Sequence, residues 1–118
     1  MYMKFENGYT TKETEVINPS GIHARPSSLI CKKASEYDGK IYLTCLKNSE
    51  LKEFSPEERY NCRSVIELMT MCVGKGSILK VHVEGEDKKA QEMCSEMARF
   101  ISSNLEEVII ELEKNHAS

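Results

Sequence analysis

No stretch of the 118 residues can serve as a membrane span. The least polar run, Val65 to Val73, is interrupted by Glu67 and Thr70 and is far shorter than the roughly 20 residues required. The opening MYMKFENGYT mixes Lys4, Glu6 and Asn7 among its apolar residues, so it lacks the uninterrupted core of a secretory signal. These absences lead to the expectation of a cytoplasmic protein with no membrane insertion. An excess of basic charge is also missing. With 30% charged residues and a net charge of −3, the chain has no overall field for non-specific nucleic-acid binding, and nucleic acid is not an expected partner. The five cysteines (Cys31, Cys45, Cys62, Cys72, Cys94) are odd in number and never stand at CxxC spacing, so reduced thiols are expected rather than disulfides or zinc ligands. Neither His82 nor His116 has further ligands placed near it, and both read as surface residues; no metal and no cofactor are expected. Repeats, low-complexity tracts and linkers are absent as well, which at this length implies one domain over residues 1–118.

What is present alternates between two periods. Lys12 to Ile17 sets Thr14 and Val16 against Glu13 and Glu15, the period of a half-buried strand. From Pro26 to Tyr37, Leu29, Ile30, Ala34 and Tyr37 share one helical face, and Asp38-Gly39 stops the helix. Lys40 to Leu46 places Ile41, Leu43 and Cys45 on one side of a second strand. A charged loop with Ser55-Pro56 follows, then a weak third strand at Arg59 to Cys62. Ser64 to Cys72 reads as a short helix with Val65, Leu68, Met69 and Cys72 inward, closed by Gly74-Lys75-Gly76. Ser77 to Glu84 alternates Leu79, Val81 and Val83 against Lys80, His82 and Glu84, which leaves His82 on the outward face. Beyond Asp87, Ala90, Met93, Cys94, Met97, Ile101, Leu105, Val108 and Leu112 form a single long helical stripe of packing residues, and Glu106, Glu107, Glu111, Glu113 and Lys114 form a solvated face. The expected fold is α/β (α+β): an open-faced sandwich of a four-stranded, mainly antiparallel sheet with three helices on one face.

The chemistry concentrates in Asn18-Pro-Ser-Gly-Ile-His-Ala-Arg-Pro-Ser-Ser28. Pro26 suits the first helical position, which sets His23 and Ala24 at a helix entrance where free N–H groups and the positive dipole end favour an anion. Arg25 adds a charged fork that grips phosphate through two hydrogen bonds. A neutral imidazole beside such a cradle can accept a phosphoryl group, and phosphoryl transfer depends chiefly on positioning and electrostatics. His23 and Arg25 are the candidate catalytic residues, with Ser20, Ala24, Arg25 and Ser27 as the candidate phosphate-binding residues. No carboxylate pair or Gly-rich nucleotide loop is visible.

Gly21-Ile22-His23-Ala24-Arg25-Pro26 resembles the active-site signature of the HPr family, the histidine-containing phosphocarriers of the bacterial sugar phosphotransferase system. The likeness continues through Arg63-Ser64-Val65-Ile66, Leu68-Met69, Gly74-Lys75-Gly76 and Glu84-Gly85-Glu86-Asp87, covering residues 12 to about 105 in order. It implies that His23 takes a phosphoryl group from enzyme I, charged by phosphoenolpyruvate, and passes it to the A domains of enzymes II, with Arg25 as clamp. It also implies transient docking through Val65, Ile66, Leu68 and Met69, and a monomer acting as a relay intermediate rather than a stand-alone enzyme. In Gram-positive relatives a dedicated HPr kinase/phosphorylase acts on the serine at the Ser64 position for carbon regulation. Ser64-Val65-Ile66-Glu67 is at the same time a capping box, and Glu67, where the family usually has a small residue, would repel a phosphate on Ser64.

The chain departs from the family pattern in a longer loop from Leu46 to Glu58, an N-terminal extension over about residues 1–11 with an Asn7-Gly8 turn, and an extended last helix. The alternative to phosphoryl transfer is a signalling module switched at His23 or Ser64. The intact His-Ala-Arg-Pro run favours transfer, because a purely serine-switched module has no need of the histidine.

Overall fold

The computed structural model describes residues 2–116. In chain order the elements are β1 (Lys4–Glu6), β2 (Tyr9–Glu15), α1 (Ala24–Ala34), β3 (Ile41–Lys47), β4 (Tyr60–Asn61), α2 (Val65–Thr70), β5 (Ile78–Glu84), α3 (Lys88–Ile101) and α4 (Leu105–His116). The strands form a five-stranded sheet in the order β1-β2-β5-β3-β4, and every pairing is antiparallel. One strand more than expected comes from the N-terminal extension. Asn7 and Gly8 adopt φ of 51° and 83°, the left-handed pair that a two-residue hairpin turn demands, and this folds β1 back on β2.

β5 lies at the centre of the sheet. Its register sets Leu79, Val81 and Val83 beside Cys45, Leu43 and Ile41 of β3, and this face packs under the helices. On β2 the same face carries Thr10 and Thr14, whose hydroxyls donate to the carbonyls of Gly85 and Ala98, both at 2.7 Å, so buried polar atoms there are satisfied. Asp87 caps α3 by accepting from the Ala90 amide at 3.0 Å, and Ala90, Met93, Cys94, Met97 and Ile101 complete the core.

The long C-terminal stripe divides into two helices. α3 stops at Ile101, and the Asn104 side chain accepts from the Glu106 and Glu107 amides, starting α4 afresh. The apolar spacing from Ile101 to Leu105 continues across the break and conceals it; Leu105 is fully buried, whereas Leu112 is 38% exposed. His116 closes α4, and its side chain lies outside the described residues.

α2 also differs from expectation. Leu68 faces the core, but Val65 is only half-buried and Met69 and Cys72 are exposed, with Met71 taking the second inward position. His82 departs furthest. Instead of reaching solvent it is buried on the other face of the sheet, stacked on Tyr42 at 4.3 Å between ring centres, with Nε2 3.0 Å from the Thr44 hydroxyl. Tyr9 meets Tyr42 edge-on and the Arg59 guanidinium covers it at 4.8 Å, so this face is roofed by its own side chains. Strict alternation says which side of a strand a residue faces and not whether that side is covered.

Candidate functional site

The segment between β2 and α1 is held mainly through its backbone. Asn18 is fully buried; its amide donates to the Gly21 carbonyl at 2.7 Å, and its Oδ1 accepts from the Glu106 amide of α4 at 3.0 Å. The Gly21 amide closes the turn by donating to the Asn18 carbonyl, and the Ile22 amide donates to the Val73 carbonyl at 3.1 Å. Gly21 has φ of +72°, and a Cβ there would collide with the backbone of Val73 and Gly74. Only glycine both adopts this conformation without strain and allows the close approach.

The chain then enters α1 with His23 as N-cap, in extended backbone conformation, its carbonyl accepting from the Ser27 amide at 2.9 Å. Ala24 is the first helical residue and Pro26 the third, two places later than the sequence suggests. The helix-entrance setting of His23 and Ala24 is unchanged by this shift. The amides of Ala24 and Arg25 lack intrahelical acceptors, Pro26 has no N–H, and Ser27 is already bonded to His23. The first turn therefore presents two adjacent outward amides.

His23, Ala24, Arg25 and Ser20 are all exposed, and the His23 ring makes no capping hydrogen bond. Ser27 does not join them. It is fully buried, its hydroxyl without a partner among the described residues, and so it is closed to a phosphate arriving from solvent. Arg25 Nη1 donates to Glu113 Oε1 of α4 at 2.8 Å. Nothing in the sequence pairs these residues, which lie far apart in the chain; from the sequence Glu113 is only one member of a solvated helix face.

Beside the site, α2 presents Ile66 at 77% and Met69 at 42% exposure, with Val65 half-buried. Leu68 is fully buried and offers no docking surface. Ser64 caps α2, its hydroxyl accepting from the Glu67 amide at 3.2 Å. The reciprocal arm of the capping box reaches past Ser64: the Glu67 carboxylate accepts from the Asn61 amide at 3.3 Å. The Arg63 guanidinium is occupied by the carbonyls of Ala34 and Tyr37. The long loop after β3 runs along the segment that holds Gly21 and Ile22. Asn48 donates to the Met71 carbonyl at 3.1 Å, the Ser49 amide donates to the Ser77 hydroxyl at 3.0 Å, and Glu50 lies against Gly74.

The sequence model of the PTS HPr component phosphorylation site matches residues 10–103. The chain belongs to the HPr family. Phosphocarrier protein HPr of Treponema pallidum is 35% identical over 96 residues, 81% of this chain and 96% of that one. The HPr-like protein Crh of Halalkalibacterium halodurans is 27% identical over 90 residues, 76% of this chain and 93% of that one. Among solved structures, HPr of Bacillus anthracis superposes with a TM-score of 0.62 at 24% identity, covering 80% of this chain and 98% of that one, and so shares the fold. Membership of the HPr family places the chain among the phosphocarriers of the phosphotransferase system, with transient protein partners. β1 lies before the matched residues and α4 after them, so the Glu113 contact to Arg25 comes from outside the family match. Among the described residues no helix is long and apolar enough to cross a membrane.

Proposed function

We propose that His23 is the phosphoryl acceptor, taking the group from enzyme I and passing it to the A domains of enzymes II in the cytoplasm. The observation that carries this reading is the exposed, uncapped imidazole at the entrance of α1, next to two outward amides and the Arg25 fork. A ring nitrogen attacks phosphorus as the bond to the donor breaks. The amides of Ala24 and Arg25, the Arg25 guanidinium and the Ser20 hydroxyl neutralise the equatorial oxygens. Release to the next acceptor reverses these steps, which makes the chain an intermediate and not a catalyst with turnover of its own. Val65, Ile66 and Met69 form the apolar part of the docking face; exposed apolar groups at the rim of a charged site suit a transient interface.

At Ser64 the geometry favours the cap over a regulatory phosphate. Its hydroxyl is engaged by the Glu67 amide, Glu67 puts a negative charge in the same first turn, and Arg63 is committed to the carbonyls of Ala34 and Tyr37.

The test is phosphate transfer from phosphoenolpyruvate through the cognate enzyme I to the native chain and to His23→Ala. The expected result is an acid-labile phosphate on the native chain that the variant lacks. A folded native chain that takes no phosphate would overturn the carrier reading in favour of a binding module.

A further inference from the structure

The residue best placed to grip phosphate is already paired with a carboxylate. Arg25 meets Glu113 at 2.8 Å, and both side chains stay largely in water, at 68% and 60% exposure. The helix that carries Glu113 is docked to the site loop by a second, buried contact: Asn18 bridges the Gly21 carbonyl and the Glu106 amide at the start of α4. One end of α4 is thus fixed to the turn before His23, and the carboxylate at its other end lies on the arginine after His23.

Resting on the phosphocarrier reading above, we propose that α4 is a wall of the phosphoryl-transfer site and that Glu113 is a positioning residue, holding the Arg25 guanidinium in the resting chain and competing with phosphate for it. A carboxylate and a phosphate seek the same N–H donors of the fork, and while the pair stands Glu113 holds Nη1, so a phosphate must displace it to take that edge of the guanidinium. An exposed ion pair is weak enough to yield to a phosphoryl group of higher charge. Once Arg25 turns to the phosphate, Glu113 is left as an unpaired carboxylate near an anion. It loosens the grip on the phosphoryl group and favours its passage to the next acceptor.

The experiment titrates inorganic phosphate into the full-length, unphosphorylated chain and follows the Ala24 and Arg25 amides by NMR. It compares native protein, Glu113→Ala and Glu111→Ala. The last variant removes the same charge from α4, and alanine favours the helix at both exposed positions. Glu113→Ala is expected to tighten phosphate binding about two- to fivefold beyond Glu111→Ala, as suits the loss of one exposed pair, with the difference fading at high salt. In an Arg25→Ala background the Glu113 effect should vanish. Equal affinities in the two glutamate variants would overturn the proposal, as would a Glu113 effect that survives without Arg25. Failure of His23 to accept phosphate from enzyme I is a separate outcome: it would sink the carrier reading while leaving the ratio of phosphate affinities as measured.

Discussion

His23 stands at the exposed mouth of α1 with no capping hydrogen bond from its side chain, whereas His82 lies under a stacked tyrosine with its Nε2 against Thr44. Around His23 it is the backbone that is buried and bonded: Asn18, Gly21 and Ile22 fix the path of the chain and leave the His23 ring exposed. Around His82 the side chains use up one another. Burial, with Lys80 adding to it, pushes the His82 imidazole down to about 4, so this ring stays neutral and committed at ordinary pH. An available histidine needs a rigid frame and an idle ring, and only the first region supplies both.

The sharpest way to break the comparison is to disturb the frame and spare the ring. Gly21→Ala forces a Cβ into the Val73 backbone at a positive φ, and it is expected to cost about 3 kcal/mol or more in urea unfolding. His23→Ala, two residues on, removes an exposed side chain with no capping bond and should change stability by no more than about 0.5 kcal/mol. A Gly21→Ala cost below that of an ordinary surface change would mean that the turn is not held as described.

Asn18→Ala comes next. It leaves the Gly21 carbonyl without its partner in a buried position and the Glu106 amide with Asn104 alone, for an expected loss of about 2 kcal/mol. Because Asn18 joins the site loop to α4, amide exchange should rise at the start of α4 as well as near Gly21. Exchange confined to the loop would show that α4 does not depend on this bridge.

The opposite region is tested by acid. The folded-state value of His82 is depressed below the ordinary 6.5. The unfolded chain therefore takes up a proton first, and stability is full above pH 6.5 and falls as the pH drops toward 4. Between pH 6.5 and 5 the loss is expected to reach about 2 kcal/mol, since each unit of difference corresponds to about 1.4 kcal/mol. That window lies above the Glu6 carboxyl, which hydrogen bonding to Lys80 holds low. His82→Gln should flatten the slope, and an unchanged slope would assign it to other groups.

These contrasts also show what the sequence makes legible. β3, β5 and α1 follow from periodicity, because the same spacing that marks them also buries Ile41, Leu43, Val81 and Ile30. The Asn7-Gly8 turn is legible from residue chemistry alone, and it implies the extra strand that the expected sheet lacked. The break at Asn104 is hidden, because a cap inside an unbroken apolar stripe leaves the period intact. The burial of His82 and of Ser27 depends on what covers them, and the Arg25–Glu113 pair depends on how α4 returns past α1. Such contacts between distant segments leave no local pattern in the chain.

The smallest effect on stability should come from the face proposed for docking, where exposure and packing separate most cleanly. Ile66 is 77% exposed although it sits two residues from the fully buried Leu68 on the same short helix. Ile66→Ser should leave stability within about 0.5 kcal/mol of native, while removing apolar contact from any protein that approaches the His23 side of the molecule. In transfer from enzyme I the expected change is a rise in KM of a few-fold to about tenfold with kcat little altered, the pattern of lost binding in ground and transition state alike. A fall in kcat at unchanged KM would instead mean that Ile66 helps align His23 for the transfer step. Unchanged kinetics would move the docking surface away from α2, leaving the α4 side of the site as the face that partners meet.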